Sequence, residues 1–223
     1  MARSVLTIPR TDLSQERTAL NVVRAAVNTQ QNYLTYSKDL SNANWFKLGL
    51  TATANQALFL DGLTTMYKLE ETAINNTHFI QTNDSGPAIG QVGCYSVYAR
   101  AGTLSWCFLS IDNSSIKGVY FNLSNGTVGS VGANIIDYGI EEVAGYLGLY
   151  RIWIVAIPIL AGFPSQRLYS SPANGGPLSY LGVVGNYIYA SDFQAVRANW
   201  PGELTPTTSA KINTTLGIRN KVL

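Results

Sequence analysis

The chain has 223 residues, of which 46% are hydrophobic and only 13% are charged, so it can bury a large core as one main domain. Its 20 glycines, eight prolines and 13 tyrosines are typical of short strands joined by turns and are unlike the composition of a helical enzyme. The net charge of +2 is low, but both ends are basic: four arginines precede residue 31, and Lys211, Arg219 and Lys221 lie near the other end without an acid.

Residues 11–28, TDLSQERTALNVVRAAVN, have the pattern of a short amphipathic helix, because Leu20, Val23 and Val27 fall on one stripe. An isolated helix of about four turns is marginal, so we expect it to need a partner or the rest of the protein. The first ten residues lack the apolar core of a secretory signal peptide, and export by that route is not expected. Three arginines recur at every seventh position and would align along this helix, with chance spacing as the alternative: Arg10, Arg17 and Arg24.

From Asn32 onward the apolar pattern changes to a period of two, which predicts β-strands. The run CYSVYARAGTLSWCFLSI predicts a hairpin around ARAGT, and Asn125-Gly126 within VYFNLSNGTVGSV is the strongest short hairpin signal in the chain. The apolar run at residues 152–163 is too short to span a bilayer and contains Pro158, so we interpret it as a buried strand. Strands that recur with turns between them, without a fixed repeat, predict a β-sandwich.

Several motifs occur in a set order: NYLTYSKDLSNANW, DGLTTMYKLEE, CYSVYARAGTLSW, VYFNLSNGTVGSV and GLYRIWIV. Together, across residues 32–190, they resemble the carbohydrate-binding-module-like jelly-roll domain of bacteriophage virion proteins. The chain departs from the family pattern at Leu149, where the family has tryptophan, and in its closing segment YIYASDFQAVRANWPGEL.

This resemblance implies an all-β fold, a jelly-roll β-sandwich at residues 32–206. Residues 1–31 then form an N-terminal arm with a short helix, and residues 207–223 form an extended C-terminal tail. The resemblance also implies a virion protein that is made in the cytoplasm of a bacterial host.

Trp45 and the two cysteines are expected to be structural. Trp45 is followed by alternating Leu48 and Leu50, so we expect its ring to pack in the sandwich rather than bind a sugar. Cys94 and Cys107 fall on the two arms of the predicted hairpin, where one register permits a disulfide and the next does not. Assembly in a reducing cytoplasm favours buried free thiols.

No residues in the sequence have the spacing of a catalytic or metal site. His78 is the single histidine, and the cysteines do not form a metal-binding motif. Glu141 and Glu142, with Asp137 nearby, could suggest the paired carboxylates of a glycoside hydrolase, but a solvated loop is the favoured interpretation. No phosphate loop or dinucleotide fingerprint occurs. The sequence therefore predicts no catalytic residue, no metal, no cofactor and no enzyme activity.

Exposed aromatic rings are the features that could bind a glycan. Tyr187 and Tyr189 share one face of an apolar strand, which favours a buried face, and Trp200-Pro201 could instead pin the tail. The body of the protein lacks a basic, aromatic-rich face, so neither nucleic acid nor a membrane is expected as a partner. The candidates for stacking against a glycan are Tyr187, Tyr189, Trp200 and Trp106.

The favoured functional hypothesis is a structural virion protein that decorates or cements a phage head. It would contact the major capsid protein or another virion protein as a homo-oligomer, with a trimer favoured, and a surface glycan is a further candidate partner. The alternative is a glycan-binding receptor-recognition module of a tail fibre or spike, and a third hypothesis is an accessory domain of a cellular glycoside hydrolase. Five basic arm residues are the predicted contacts with the particle: Arg10, Arg17, Arg24, Arg219 and Lys221.

Overall fold

The computed structural model describes residues 29–111, 117–158, 165–210 and 212–215. The helix predicted at residues 11–28 lies outside these ranges, as do all five arm residues predicted to contact the particle. Within the described ranges, no helix is long and apolar enough to cross a membrane. The strands in these ranges are β1 (Thr29–Asn32), β2 (Trp45–Leu48), β3 (Leu50–Leu58), β4 (Thr64–Glu71), β5 (Asn75–Thr77), β6 (Phe79–Thr82), β7 (Gly93–Ala101), β8 (Trp106–Ile111), β9 (Lys117–Asn122), β10 (Thr127–Val131), β11 (Ile135–Glu142), β12 (Leu149–Ala156), β13 (Gln166–Ser171), β14 (Ser179–Leu181), β15 (Tyr187–Val196) and β16 (Ile212–Thr215).

Two six-stranded antiparallel sheets pack face to face as a β-sandwich. Sheet I has the strand order β10-β9-β8-β13-β6-β2, and sheet II has the order β11-β12-β7-β15-β4-β3. Two short ribbons accompany them, one formed by β1 with β16 and the other by β5 with β14. The predicted all-β sandwich is confirmed.

The core lies between the sheets and is built from the inward side chains of each strand. In β7, Tyr95, Val97 and Ala99 are fully buried in this core, as the period of two requires. Trp45 is 2% exposed, and its indole N–H donates a hydrogen bond to the carbonyl oxygen of Tyr36 at 2.9 Å. Its ring centroid lies 4.6 Å from that of Phe193. The prediction that Trp45 packs in the core is confirmed.

One of the two predicted hairpins is present and the other is wrong. β9 and β10 pair across Asn125-Gly126, where Gly126 has a φ of 68° that suits glycine. β7 and β8 do not pair with each other, because β7 lies between β12 and β15 in sheet II and β8 lies between β13 and β9 in sheet I. Leu104 is buried between them and its N–H donates to the carbonyl of Tyr187, so ARAGT carries the chain from one sheet to the other.

This crossing also separates the two cysteines. Cys94 lies on the outer face of sheet II beside Trp153, and Cys107 lies in the core between the sheets. Both are free and fully buried. Burial raises the pKa of each thiol far above its ordinary value, which keeps the thiols protonated and unreactive. The prediction of buried free thiols is confirmed.

Part of the outer face of sheet II is covered by residues 198–205. Trp200 packs edge-on against Trp153, with ring centroids 4.6 Å apart. Arg151 donates hydrogen bonds to the carbonyls of Pro201 and Gly202, and its guanidinium lies 5.3 Å from the centre of the Tyr98 ring. Leu204 of this segment and Tyr189 pack against the same buried cluster, while Tyr187 and Tyr189 stay partly exposed.

Candidate functional site

The open part of the outer face of sheet II carries a group of polar and aromatic side chains that we call the tyrosine platform. It consists of Tyr187 and Tyr189 on β15, Lys68 and Glu70 on β4, and Arg100 on β7. The register places Tyr189 between Lys68 and Arg100, and Tyr187 opposite Glu70. All five side chains are partly exposed. They meet because β4, β15 and β7 are neighbours in the sheet.

The alternation of β15 determines which face the tyrosines occupy. Ile188 and Ala190 are fully buried in the core, so Tyr187 and Tyr189 must point to the opposite, outer face. The expectation that these two tyrosines form a buried face is therefore wrong. Their rings stand edge to face, with centroids 5.2 Å apart.

The platform has a defined local geometry. Gly102 lies directly against the Tyr187 ring, because a Cβ at this position would be 2.3 Å from the ring carbon Cδ2. Lys68 forms an ion pair with Glu70, with Nζ and Oε2 2.7 Å apart, and Lys68 Nζ lies 5.5 Å from the centre of the Tyr187 ring. The result is an aromatic surface bordered by one cation and one anion.

Two further features of the platform are the raised pKa of Tyr189 and an unused donor on the Arg100 guanidinium. Burial raises the pKa of Tyr189, and its hydrogen bond with Tyr187 raises that pKa further. Arg100 donates from Nη2 to the carbonyl of Leu147 at 3.2 Å. Its buried Nε–H has no hydrogen-bond partner in the part of the chain that the structure describes. The partly exposed rings can stack against an apolar face, and the partly exposed Lys68 and Glu70 can exchange hydrogen bonds with hydroxyl groups.

Glu71 fixes the loop that bounds the platform beside Tyr187. Its carboxylate is 2% exposed and accepts hydrogen bonds from Ser170 Oγ at 3.0 Å, the Val183 N–H at 3.0 Å and the phenol of Tyr180. Asn186 Nδ2 donates a fourth at 3.4 Å. Burial, and then the hydrogen bond to this carboxylate, raises the pKa of Tyr180. One buried anion thus holds β14 and the β14–β15 loop in place.

The turn between β11 and β12 bounds the platform on the Arg100 side. The phenol of Tyr146 donates to the carbonyl of Leu60 at 2.9 Å, which ties this turn to the loop before β4. Glu142 accepts a hydrogen bond from the Gly148 N–H at 2.8 Å. Leu147, at the tip, is 88% exposed. An exposed leucine therefore lies beside Arg100, at the edge of the platform.

The structure brings together two of the four predicted stacking residues. Tyr187 and Tyr189 are adjacent and partly exposed, whereas Trp200 is packed on Trp153 and secures the covering segment. Trp106 lies on the other sheet, where it packs against the aromatic cluster of Phe108 and its neighbours. Trp200 therefore packs against the sandwich, and its predicted role in pinning the tail stays a prediction.

The sequence did not reveal the charged members of the platform. Lys68, Glu70 and Arg100 are far from β15 in the chain, and only the pairing of β15 with β4 and β7 places them beside the tyrosines. The one usable signal was the alternation of Lys68 and Glu70 with Leu69, which marks them as outward residues of a half-buried strand.

The acidic residues considered for hydrolysis form no catalytic arrangement that we can identify. Asp137, Glu141 and Glu142 belong to β11, so the expectation of a solvated loop is wrong. Among the residues that the structure describes, no group of three or more His, Cys, Asp or Glu side chains could hold a metal ion.

No family model matches the sequence, and no curated protein matches it. Among solved structures, the enzymatically active domain of tailspike protein 4 of bacteriophage CBA120 is similar over 74% of this chain and 21% of its own, with 11% identity and a TM-score of 0.43. The mannan-binding carbohydrate-binding module TmCBM27 is similar over 74% of this chain and 95% of its own, with 9% identity and a TM-score of 0.35. The chain thus spans about a fifth of the tailspike chain. At these TM-scores neither similarity establishes a shared fold or function.

Proposed function

We propose that this protein is a non-catalytic glycan-binding module of a phage virion protein, with the tyrosine platform as its binding surface. The observation that carries the proposal is the pair of partly exposed rings, Tyr187 and Tyr189, beside charged groups on neighbouring strands. The virion setting is supported by the sequence motifs of residues 32–190 alone. A receptor-recognition role on a tail fibre or spike is the form of this function that we favour.

The platform has the two kinds of group that a sugar ring requires. The C–H face of a pyranose packs on an aromatic ring, while its hydroxyls need donors and acceptors at the edge of that contact. Lys68 and Arg100 supply donors, and Glu70 supplies an acceptor. Because the surface is open, a bound sugar remains partly hydrated, and we expect a dissociation constant between about 10 µM and 1 mM for a single platform. Multiple copies on one particle would raise the effective affinity.

Head decoration remains a prediction of the sequence. It depends on basic arm residues that lie outside the described ranges, as does the helix expected to support self-association. The platform favours recognition of a ligand over cementing, because a cement protein needs no open aromatic surface with charged edges.

The proposal is tested by measuring glycan binding to the full chain and to three variants. On an array of bacterial surface polysaccharides and oligosaccharides, we expect Tyr187→Ala and Tyr189→Ala each to weaken binding by about fivefold to twentyfold, which corresponds to about 1–2 kcal/mol. Tyr138→Ala is the matched control, since Tyr138 is 41% exposed on β11, at the far edge of sheet II, and should bind as the parent does. Binding that is unchanged by both platform substitutions, or no binding to any glycan, would overturn the proposal.

A further inference from the structure

A second candidate site lies far from the tyrosine platform, at the opposite end of sheet II. A pocket of about 350 Å³ is lined by Lys117, Asn134, Ile135, Ile136 and Ile157. Along β12, Leu149 pairs with Arg100 at the platform end, whereas Ala156 pairs with Ile135 at the pocket end. Seven residues of extended strand separate these two points, which is about 23 Å. The pocket is therefore independent of the platform.

Lys117 is the unusual member of this pocket. It shares its side of β9 with Val119 and Phe121, which belong to the core, so its side chain points between the sheets and is only 3% exposed. Its Nζ atom is buried and has no hydrogen-bond partner among the described residues. The ion pair found in these ranges joins Lys68 and Glu70 and does not involve Lys117.

A buried lysine that has no hydrogen-bond partner among the described residues has a chemical consequence. An ammonium group carries three N–H donors and loses its hydration on burial, which is unfavourable unless an anion or several acceptors replace the water. Among the described residues of the lining, Asn134 is polar, and Ile135, Ile136 and Ile157 contribute hydrocarbon surface. The pocket therefore combines one buried cation with an apolar wall.

We propose that this pocket binds a small organic carboxylate, whose oxygens accept hydrogen bonds from Lys117 Nζ and whose apolar body packs against the three isoleucines. A carboxylate suits a single ammonium group because the pair forms short, charge-assisted hydrogen bonds. The isoleucine wall distinguishes an organic acid from a bare inorganic anion, since it offers nothing to hydrate the latter. Ligand pockets of about 300–1,000 Å³ commonly combine apolar walls with one or two charged groups in this way.

The test uses the full chain, with hexanoate as the probe and hexan-1-ol and inorganic phosphate as comparison ligands. Isoleucine-methyl NMR spectra should show hexanoate shifting the methyl groups of Ile135, Ile136 and Ile157. Titration should show hexanol and phosphate binding roughly tenfold more weakly, because each lacks one of the two required features. Equal binding of hexanol, or of phosphate, would contradict the carboxylate assignment. If hexanoate leaves all three methyl groups unmoved, the proposal fails.

Two variants and a control separate the roles of charge and wall. Lys117→Met keeps the length of the side chain but removes the ammonium, and it should weaken hexanoate binding about tenfold or more while leaving the protein folded. Ile136→Ala should weaken hexanoate binding and leave phosphate binding unchanged, so the preference for hexanoate over phosphate should fall. Lys38→Met, at an exposed position outside both sites, should leave hexanoate binding unchanged. Full hexanoate affinity in both pocket variants would overturn the proposal.

Discussion

Asp192 is a buried acid in a strained backbone position. It lies at the register shift in β15, has a φ of 52° and is fully buried. Ser191 Oγ donates to its Oδ2 at 2.7 Å, while Oδ1 has no hydrogen-bond partner in the described part of the chain. Burial raises the pKa of the Asp192 carboxyl from 3.8 to about 6. The charged form is therefore disfavoured in the folded protein.

This raised pKa makes folding stability depend on pH at Asp192. Because the folded state binds the proton more tightly than the unfolded chain, the stabilising contribution is fully present below about pH 3.8 and is lost as pH rises through about 6. At pH values above that range, a pKa difference of about two corresponds to a loss of about 3 kcal/mol in the free energy of unfolding. We expect Asp192→Asn to raise the Tm near pH 8, since the amide cannot ionise and asparagine tolerates the left-handed region.

Thermal unfolding from about pH 4 to pH 8 checks this expectation, with the gain growing as pH rises. Asp39→Asn is a control, because this substitution should lower the Tm at the pH values where Asp192→Asn raises it. A hydrogen bond from Ser41 is the main cause that lowers the pKa of Asp39, so this carboxylate stabilises the fold once it is ionised. Parallel stability curves for Asp192→Asn and the parent would show that Asp192 does not titrate as described.

The cysteines give a prediction that depends on the two sheets rather than on a hairpin. Cys94 and Cys107 are buried free thiols on strands of different sheets. We expect no alkylation of the native protein, because both thiols are inaccessible and their pKa values are raised by burial. Alkylation of the denatured, unreduced protein should add two labels by mass spectrometry. A mass without labels would mean that a disulfide had formed.

At the scale of elements, the β14–β15 loop depends on one buried carboxylate. The loop has few apolar anchors, since Leu181, Val183 and Val184 are all exposed. Its position beside Tyr187 is instead determined by the four donors that meet Glu71. A change at Glu71 should therefore act on the platform without touching a ligand.

We expect Glu71→Gln to lower the free energy of unfolding by about 2–3 kcal/mol. The glutamine amide has an NH₂ group in place of one carboxylate oxygen, and this donor would face groups that are themselves donors. Hydrogen exchange at the Val183 amide should accelerate, and glycan affinity should fall together with it. Glu70→Gln is the matched control: Glu70 is paired with Lys68 near the surface, and its loss should cost no more than about 1 kcal/mol. A Val183 amide that exchanges at the parental rate in Glu71→Gln would refute this role.

The same elements show which features the sequence could predict. The β9–β10 hairpin was predictable because Asn125-Gly126 is a local signal that acts through its own backbone. The pairing of β7 was not, since its partners β12 and β15 come from distant parts of the chain and the turn ARAGT does not specify a sheet. Alternation showed that Tyr187 and Tyr189 share a face, but both alternating sets of β15 mix apolar and polar residues, so it could not show which face is buried.

At the scale of the whole molecule, the two ends of the described chain lie side by side. β1 pairs antiparallel with β16, with Thr29 opposite Thr215 and Asn32 opposite Ile212. Asn32 secures this region to the sandwich, because its Nδ2 donates to the carbonyl of Thr205 at 2.8 Å and its Oδ1 accepts from the Ala195 N–H at 3.1 Å. The predicted basic arms therefore begin from one place on the molecule, where their charges could act on one acidic surface.

Removing both arms should separate attachment to a particle from the other properties of the protein. We expect residues 29–215 to keep the Tm and the glycan affinity of the full chain, because β1, β16 and the tyrosine platform all remain.

Attachment should weaken, since each exposed ion pair contributes only about 0.2–1 kcal/mol and the predicted contacts Arg10, Arg17, Arg24, Arg219 and Lys221 are needed together. In the full chain, replacing these five residues with glutamine should weaken attachment as much as truncation does. The control exchanges each arginine for lysine and the lysine for arginine. Because the charge is kept, attachment and its sensitivity to salt should both be preserved. Particle sedimentation with quantified bound protein measures the effect, and full occupancy by residues 29–215 would show that the sandwich itself makes the attachment.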